Sequence, residues 1–154
     1  MSAMEQRLTD LGIRLPPAPK PLGAYVEAVQ AGDLLFLSGA LPVEDGAPRF
    51  QGRIGKDLTL EDGRQAARLA TLNALALARE HLGSLDRITR VAQLKVSLVT
   101  SEDFRDHPRV ADGASELLAD VFGRDKIPTR MVIGAFTLPV GVCVVIELVF
   151  ALRC

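Results

Sequence analysis

Residues 125–150 read DKIPTRMVIGAFTLPVGVCVVIELVF. Two apolar runs, about Thr129–Phe136 and Val142–Leu152, flank the segment Leu138-Pro139-Val140-Gly141. Proline and glycine in that segment predict a turn. The runs are rich in Val and Ile, which fit a pleated, half-buried surface, so each is predicted to be a strand. One fixed positive charge, Arg130, opens the first of them. A guanidinium is always ionised and offers a planar fork that grips a carboxylate through two bonds. Its partner is either a ligand or a native acid, such as Glu147 or a carboxylate on another subunit.

Upstream, the pattern alternates between strands and helices. Residues Ser2–Gly12 read as a short helix stopped by Gly12. Leu15–Gly23 holds four prolines in nine residues, which makes an extended connector. Two short strands are expected at Tyr25–Gln30 and Leu34–Ser38, with a turn at Ala31-Gly32-Asp33. Ala40–Asp57 is rich in glycine and proline, carries an Asp45-Gly46 turn, and reads as a long loop that can wall a site.

Thr59 with Asp62 three residues on resembles a capping box. Behind it Ala66, Leu69, Ala70, Asn73 and Leu77 fall on one helical stripe, and Gly83 ends the helix. Arg90–Thr100 alternates, with Ala92, Leu94, Val96 and Leu98 on one face and Gln93, Lys95 and Ser97 on the other. That predicts a strand with one buried face. Ser101 caps a short turn. A second long helix is expected over Arg109–Phe122, with Val110, Ala114, Leu117, Leu118 and Val121 inward. The order of elements predicts an α+β fold, a mixed β-sheet with two helices packed on one face.

Composition narrows the function. The chain has 154 residues and a net charge of −1, with scattered Lys and Arg. That suggests one domain, with residues 1–20 as an N-terminal helix and proline-rich connector and 21–154 as the body. Nothing in the charge favours a nucleic acid or a membrane, and few aromatics are available to stack on bases. The N-terminus has no apolar core of a signal peptide, and no run of ~18 apolar residues predicts a membrane helix. Cys143 and Cys154 make neither a disulfide framework nor a metal motif. They are expected to be reduced thiols of a cytoplasmic protein, Cys143 in packing or, through the strand face it shares with Val145, in a cleft. His81 and His107 are read as surface residues, and Asn73 as a hydrogen-bonded core residue. No Ser–His–Asp spacing suggests a triad.

Four stretches, in order, resemble one known family. They are GAYVEAV (23–29), LLFLSGALPVEDG (34–46), EDGRQAARLATLNALA (61–76) and PTRMVIGAFTLPVGVCVVIELVFA (128–151). Together they resemble the Rid/YjgF (RidA-like) family, also called endoribonuclease L-PSP. The N-terminal helical extension and the Gly-Ala-Ser around Ala114 resemble a divergent branch of it. The resemblance implies a chorismate-mutase-like fold, a homotrimer with ligand clefts between subunits, and no cofactor or metal. It also implies a cofactor-independent deaminase that hydrolyses enamines and imines such as 2-aminoacrylate to 2-keto acids and ammonia.

Carried over by position, Arg130 becomes the anchor of a substrate carboxylate and Tyr25 a cleft residue. Ser38 and Gly39 become strand-end groups, where the absence of a side chain at Gly39 admits the ligand to the backbone. The chain departs from the family pattern at Val145, where family deaminases carry a water-orienting glutamate. Glu147, two residues on and on the same strand face, is the catalytic candidate in its place, ~6–7 Å along the strand. Arg130's same-face neighbour, often cysteine in the family, is Val132. Three readings follow. One is an imine hydrolase that relies on Glu147, one a non-catalytic trimer that binds or senses small imino- or keto-acid ligands, and the third, with the least support, a ribonuclease or translation inhibitor.

Overall fold

The computed structural model describes residues 2–154. Its elements run α1 (Ala3–Asp10), β1 (Ala28–Ala31), β2 (Leu34–Leu37), β3 (Val43–Glu44), β4 (Ala47–Pro48), α2 (Leu60–Leu82), β5 (Ile88–Leu98), α3 (His107–Phe122), β6 (Thr129–Gly134) and β7 (Val144–Leu152). Five strands form one sheet in the order β1-β2-β7-β5-β6. β5 and β6 are parallel, with α3 as their crossover, and the other pairs are antiparallel. The fold is the predicted α+β class, a chorismate-mutase-like mixed sheet with helices on one face.

Register divides the sheet into two chemistries. Leu94 of β5 lies opposite Leu148 of β7 and Arg130 of β6. Val96 lies opposite Ile146 and Val132 in the same way. Leu94, Leu148, Val96 and Ile146 are buried beneath the helices. One residue on, Lys95 faces Glu147 and Met131, and Ser97 faces Val145 and Ile133. Strand side chains alternate in direction, so this second set points away from the helices. Phe36 and Val29, paired across β1 and β2, extend the same open face.

The predicted capping box starts α2: Thr59 Oγ1 accepts from the Asp62 amide at 3.0 Å and Asp62 Oδ2 accepts from the Thr59 amide at 2.9 Å. Gly83, at φ +81, ends the helix in the left-handed conformation. Ala66, Ala67, Ala70, Ala74 and Ala78 of α2 are fully buried. Such small side chains let α2 lie close against its neighbours. The crossing with α3 is tighter still. A Cβ at Gly113 would stand 2.2 Å from the carbonyl oxygen of Arg64, so only glycine fits there.

Several predicted boundaries move. β1 begins at Ala28 rather than Tyr25, because residues 22–25 bend, with the Tyr25 amide donating to Gly23 O at 3.0 Å. Ser38 then ties the 26–27 segment, its hydroxyl donating to Val26 O at 2.5 Å and its amide to Glu27 O at 2.9 Å. The pattern in β5 shifts at a bulge between Val91 and Gln93. Val91 is therefore buried where Ala92 was expected. The 40–57 loop contains the small β3–β4 hairpin around Asp45-Gly46. α3 starts at His107, two residues early. That histidine is half-buried, not a free surface residue, and packs edge-on against Phe104 with ring centroids 5.5 Å apart.

The N-terminal segment is tied to the body. Arg7 donates twice to Asp120 O at the end of α3, Met4 N donates to Asp86, and Glu5 pairs with Arg79 of α2. Leu8 and Leu15 are buried. No helix of the described residues is long and apolar enough to cross a membrane.

Candidate functional site

Arg130 sits on β6, an edge strand, in the row that points toward the helices. Being at the edge, its guanidinium emerges beside α3. There Nη1 donates to Asp112 Oδ1 at 2.7 Å and to Ser115 Oγ at 3.1 Å. The native carboxylate that meets Arg130 is therefore Asp112, not Glu147. Asp112 and Ser115 are three apart on one helix, hence on one face. Both contacts use one nitrogen, which leaves Nε and Nη2 to form the fork that a second carboxylate can take.

Glu147 is on the opposite face of the sheet. It lies across from Lys95, with Nζ to Oε1 at 3.7 Å, and both side chains are about half exposed. Val145 shares that face and is half-buried. Within one chain, Arg130 and Glu147 thus cannot act on the same small molecule.

Tyr25, Ser38 and Gly39 are brought together at the other side of the sheet, where they border one groove. Tyr25 is 45% exposed, and its phenol oxygen accepts from the Leu22 amide at 3.0 Å, leaving its own proton free. Ser38 ties the 26–27 segment to the end of β2, as described above. At Gly39 a Cβ would come within 2.9 Å of Val145 Cγ1. The close approach that glycine permits is thus made by Val145, the residue that stands where the family glutamate would. β6 and β1 are four strand spacings apart, roughly 19 Å at about 4.8 Å each. Arg130 and the Tyr25–Ser38–Gly39 group are therefore well separated within one chain.

Cys143 is buried, and burial pushes its thiol from the ordinary 9.0 up to about 12, against the lowering effect of a backbone hydrogen bond. A nearby Asp62 charge adds to the rise. The full burial of Cys143 fits the packing role. His81 is exposed, as expected. Asn73 is 1% exposed, and its Nδ2 donates to Leu41 O and Val43 O at 2.9 and 2.8 Å, in keeping with a hydrogen-bonded core residue. Among the described residues, no group of three or more His, Cys, Asp or Glu is placed to hold a metal ion.

Asp112 and Ser115 are the residues that sequence reasoning missed. The signal available was the Gly-Ala-Ser motif beside Asp112, which has a physical meaning here. Gly113 lets α3 close on α2, while Asp112 before it and Ser115 two residues after it hold Arg130.

The sheet order, the one-sided helices and the edge arginine define a chorismate-mutase-like α+β domain with a carboxylate-compatible guanidinium at a sheet edge. A model of the YjgF/chorismate mutase-like endoribonuclease family matches residues 5–152, and the chain belongs to that family. Protein TCP17 of Trypanosoma cruzi is 38% identical over 141 residues, 91% of this chain and 88% of its own length. A RutC family protein of Pyrococcus horikoshii is 31% identical over 130 residues, covering 84% of this chain and 88% of its own length. A crystal structure from Shewanella oneidensis MR-1 has a TM-score of 0.93 at 34% identity, covering 98% of this chain and all of that one. Escherichia coli TdcF with bound serine shares the fold, with a TM-score of 0.64 at 24% identity and coverage of 89% and 94%.

Proposed function

We propose that this protein binds small carboxylate metabolites, with Arg130 as the carboxylate anchor, in clefts between the subunits of a homotrimer. The observation that carries the reading is the guanidinium of Arg130. It is fixed through one nitrogen by Asp112 and Ser115, while its remaining N–H groups stand at an unpaired sheet edge. A preoriented fork loses little freedom when a ligand arrives, which raises affinity. Assembly supplies what one chain lacks. An edge from one subunit meeting the opposite edge of its neighbour would join Arg130 and the Tyr25–Ser38–Gly39 group as two half-sites.

The open sheet face supports self-association. Val29, Phe36, Met131 and Ile133 lie on it at 43–54% exposure. Large apolar side chains left this open in one chain mark an interaction surface.

Hydrolysis of an imine is the second reading, favoured by Glu147 on the face of Val145. Water would add to the C=N carbon of a 2-imino acid, and the C–N bond would break to give the 2-keto acid and ammonia. Glu147 would take one proton from the attacking water and pass it to the imine nitrogen, then relay the hydroxyl proton of the resulting carbinolamine to the amine, so that the C–N bond breaks with ammonia as the leaving group. Its present partner is Lys95, so that role requires it to turn from that pair. General acid–base help typically contributes ~100- to 10,000-fold, so its loss at Val145 predicts weak turnover. The ribonuclease reading has less support from a chain of net charge −1.

The test is ammonia and keto-acid release from imines generated in situ by an amino-acid oxidase, beside calorimetric binding of the keto acids. Binding lost in Arg130→Ala supports the anchor, and ammonia release in the wild type alone adds hydrolysis. Equal keto-acid affinity in wild type and Arg130→Ala removes the reading.

A further inference from the structure

The proline-rich connector does not lie flat on the body. Between it and α2 runs a groove of about 580 Å³. Pro16, Pro17 and Pro19 form its roof, and Leu69, Leu72, Asn73 and Leu77 of α2 its floor. The roof is held at both ends. Leu15 is buried on one side, and the Tyr25 phenol fixes the Leu22 amide on the other. Proline locks the backbone between these anchors, so the roof resists collapsing onto the floor. The three floor leucines are half-buried, while the alanines of the same helix are fully buried. α2 therefore turns its alanines and Leu75 inward, and Leu69, Leu72 and Leu77 to the groove. The volume is that of a small-molecule site.

Asn73 adds one polar group to this floor. Both Nδ2 protons go to the carbonyls of Leu41 and Val43, which also fixes which end of the amide is nitrogen. Oδ1 then receives no hydrogen bond from any described residue, nor is it sealed within the core. A nearly buried acceptor left without a donor is costly unless water or a ligand supplies one. The groove lining carries both signs, Arg14 and Lys20 against Glu27, Glu44 and Asp45, and Glu44 is already paired with Arg49, so the charges left nearly balance.

We infer that this groove is a binding site for a small neutral molecule with a flat or branched apolar body and one hydrogen-bond donor, the donor meeting Asn73 Oδ1. The groove shares the wall formed by Tyr25, Ser38 and Gly39 with the proposed cleft, but its own floor and roof need no contact with Arg130.

Indole and benzofuran are matched probes, with the same shape and with or without an N–H. Titration of each into the ¹⁵N-labelled full chain should shift the Asn73 side-chain amide and the amides of residues 69–77. Indole should bind roughly 2- to 10-fold more tightly, the worth of one hydrogen bond. Leu72→Trp, which fills the floor, should abolish the shifts while circular dichroism reports a folded chain. Leu77→Gln is the second variant should the first not fold. Arg130→Ala should leave indole binding unchanged. No shift with either probe, equal affinity for the two, or shifts that survive both floor variants would overturn the proposal.

Discussion

Leu94 and Lys95 are neighbours in β5, yet one is fully buried under two helices and the other shares an exposed ion pair with Glu147. The two faces of the sheet repeat this contrast along its length. The covered face carries Leu35, Val91, Leu94, Val96, Ile146, Leu148 and Phe150, and it is closed by α2 and α3. The open face mixes Phe36, Met131 and Ile133 with Lys95, Glu147 and Ser97. The covered face is complete within one chain, so it accounts for stability. The open face leaves large apolar side chains uncovered, so it is where the proposed self-association would fall. Arg130 bridges the two descriptions. It lies in the covered row, but its place on the edge strand lets its charge reach solvent beside α3.

Leu94→Ala should give the largest effect, a loss of about 2–5 kcal/mol in urea unfolding, because no water or side chain fills the space. A loss under 1 kcal/mol there would mean that the covered face is not tightly packed. Gly113→Ala comes next. Its methyl would press on the Arg64 carbonyl and force α2 and α3 apart, at about 1–3 kcal/mol. Stability unchanged in that variant would contradict the close crossing.

Arg130→Ala should hardly change the unfolding midpoint but should remove keto-acid binding. Asp112→Ala should weaken it less, about 3- to 10-fold, by freeing a guanidinium that is now preoriented. Lys95→Ala, on the open face, should cost less than about 1 kcal/mol, the ordinary worth of an exposed pair. A larger loss in Lys95→Ala would bring the two faces closer in kind.

A pH scan sharpens the same contrast at the two thiols. Cys143 is buried with its pKa raised to about 12, whereas Cys154 is exposed. An acid whose native pKa is raised releases its proton more readily when unfolded. The stability linked to Cys143 is therefore fully present below pH 9 and is lost progressively between about 9 and 12. Only Cys154 should react with a thiol reagent in the native state, and rapid labelling of Cys143 at neutral pH would show that its burial is not maintained.

Much of this was legible in local pattern. The Thr59–Asp62 box and Gly83 mark both ends of α2 because capping is settled within one helical turn. The inward face of α3 followed from a 3.6-residue period, and Val110, Ala114, Leu117, Leu118 and Val121 are all buried. β5 was legible until its bulge. One extra residue at Ala92 reverses the parity before it until a second shift between Ile88 and Arg90 restores it, and both arise from pairing with β7, more than 50 residues away.

By itself, then, the sequence determined what a period of two or 3.6 residues, a cap or a turn can encode: the α+β class, the order of elements, the family, and the candidacy of Arg130. Tertiary structure alone decided which groups share a space. Arg130 meets Asp112 and Ser115 rather than Glu147, because strand alternation and sheet register place the two charged residues of β6 and β7 on opposite faces. Tyr25, Ser38 and Gly39 gather at the far side of the sheet for a similar reason. Local chemistry sets the direction of each side chain, but the neighbour it meets depends on strands and helices that pair across long stretches of chain.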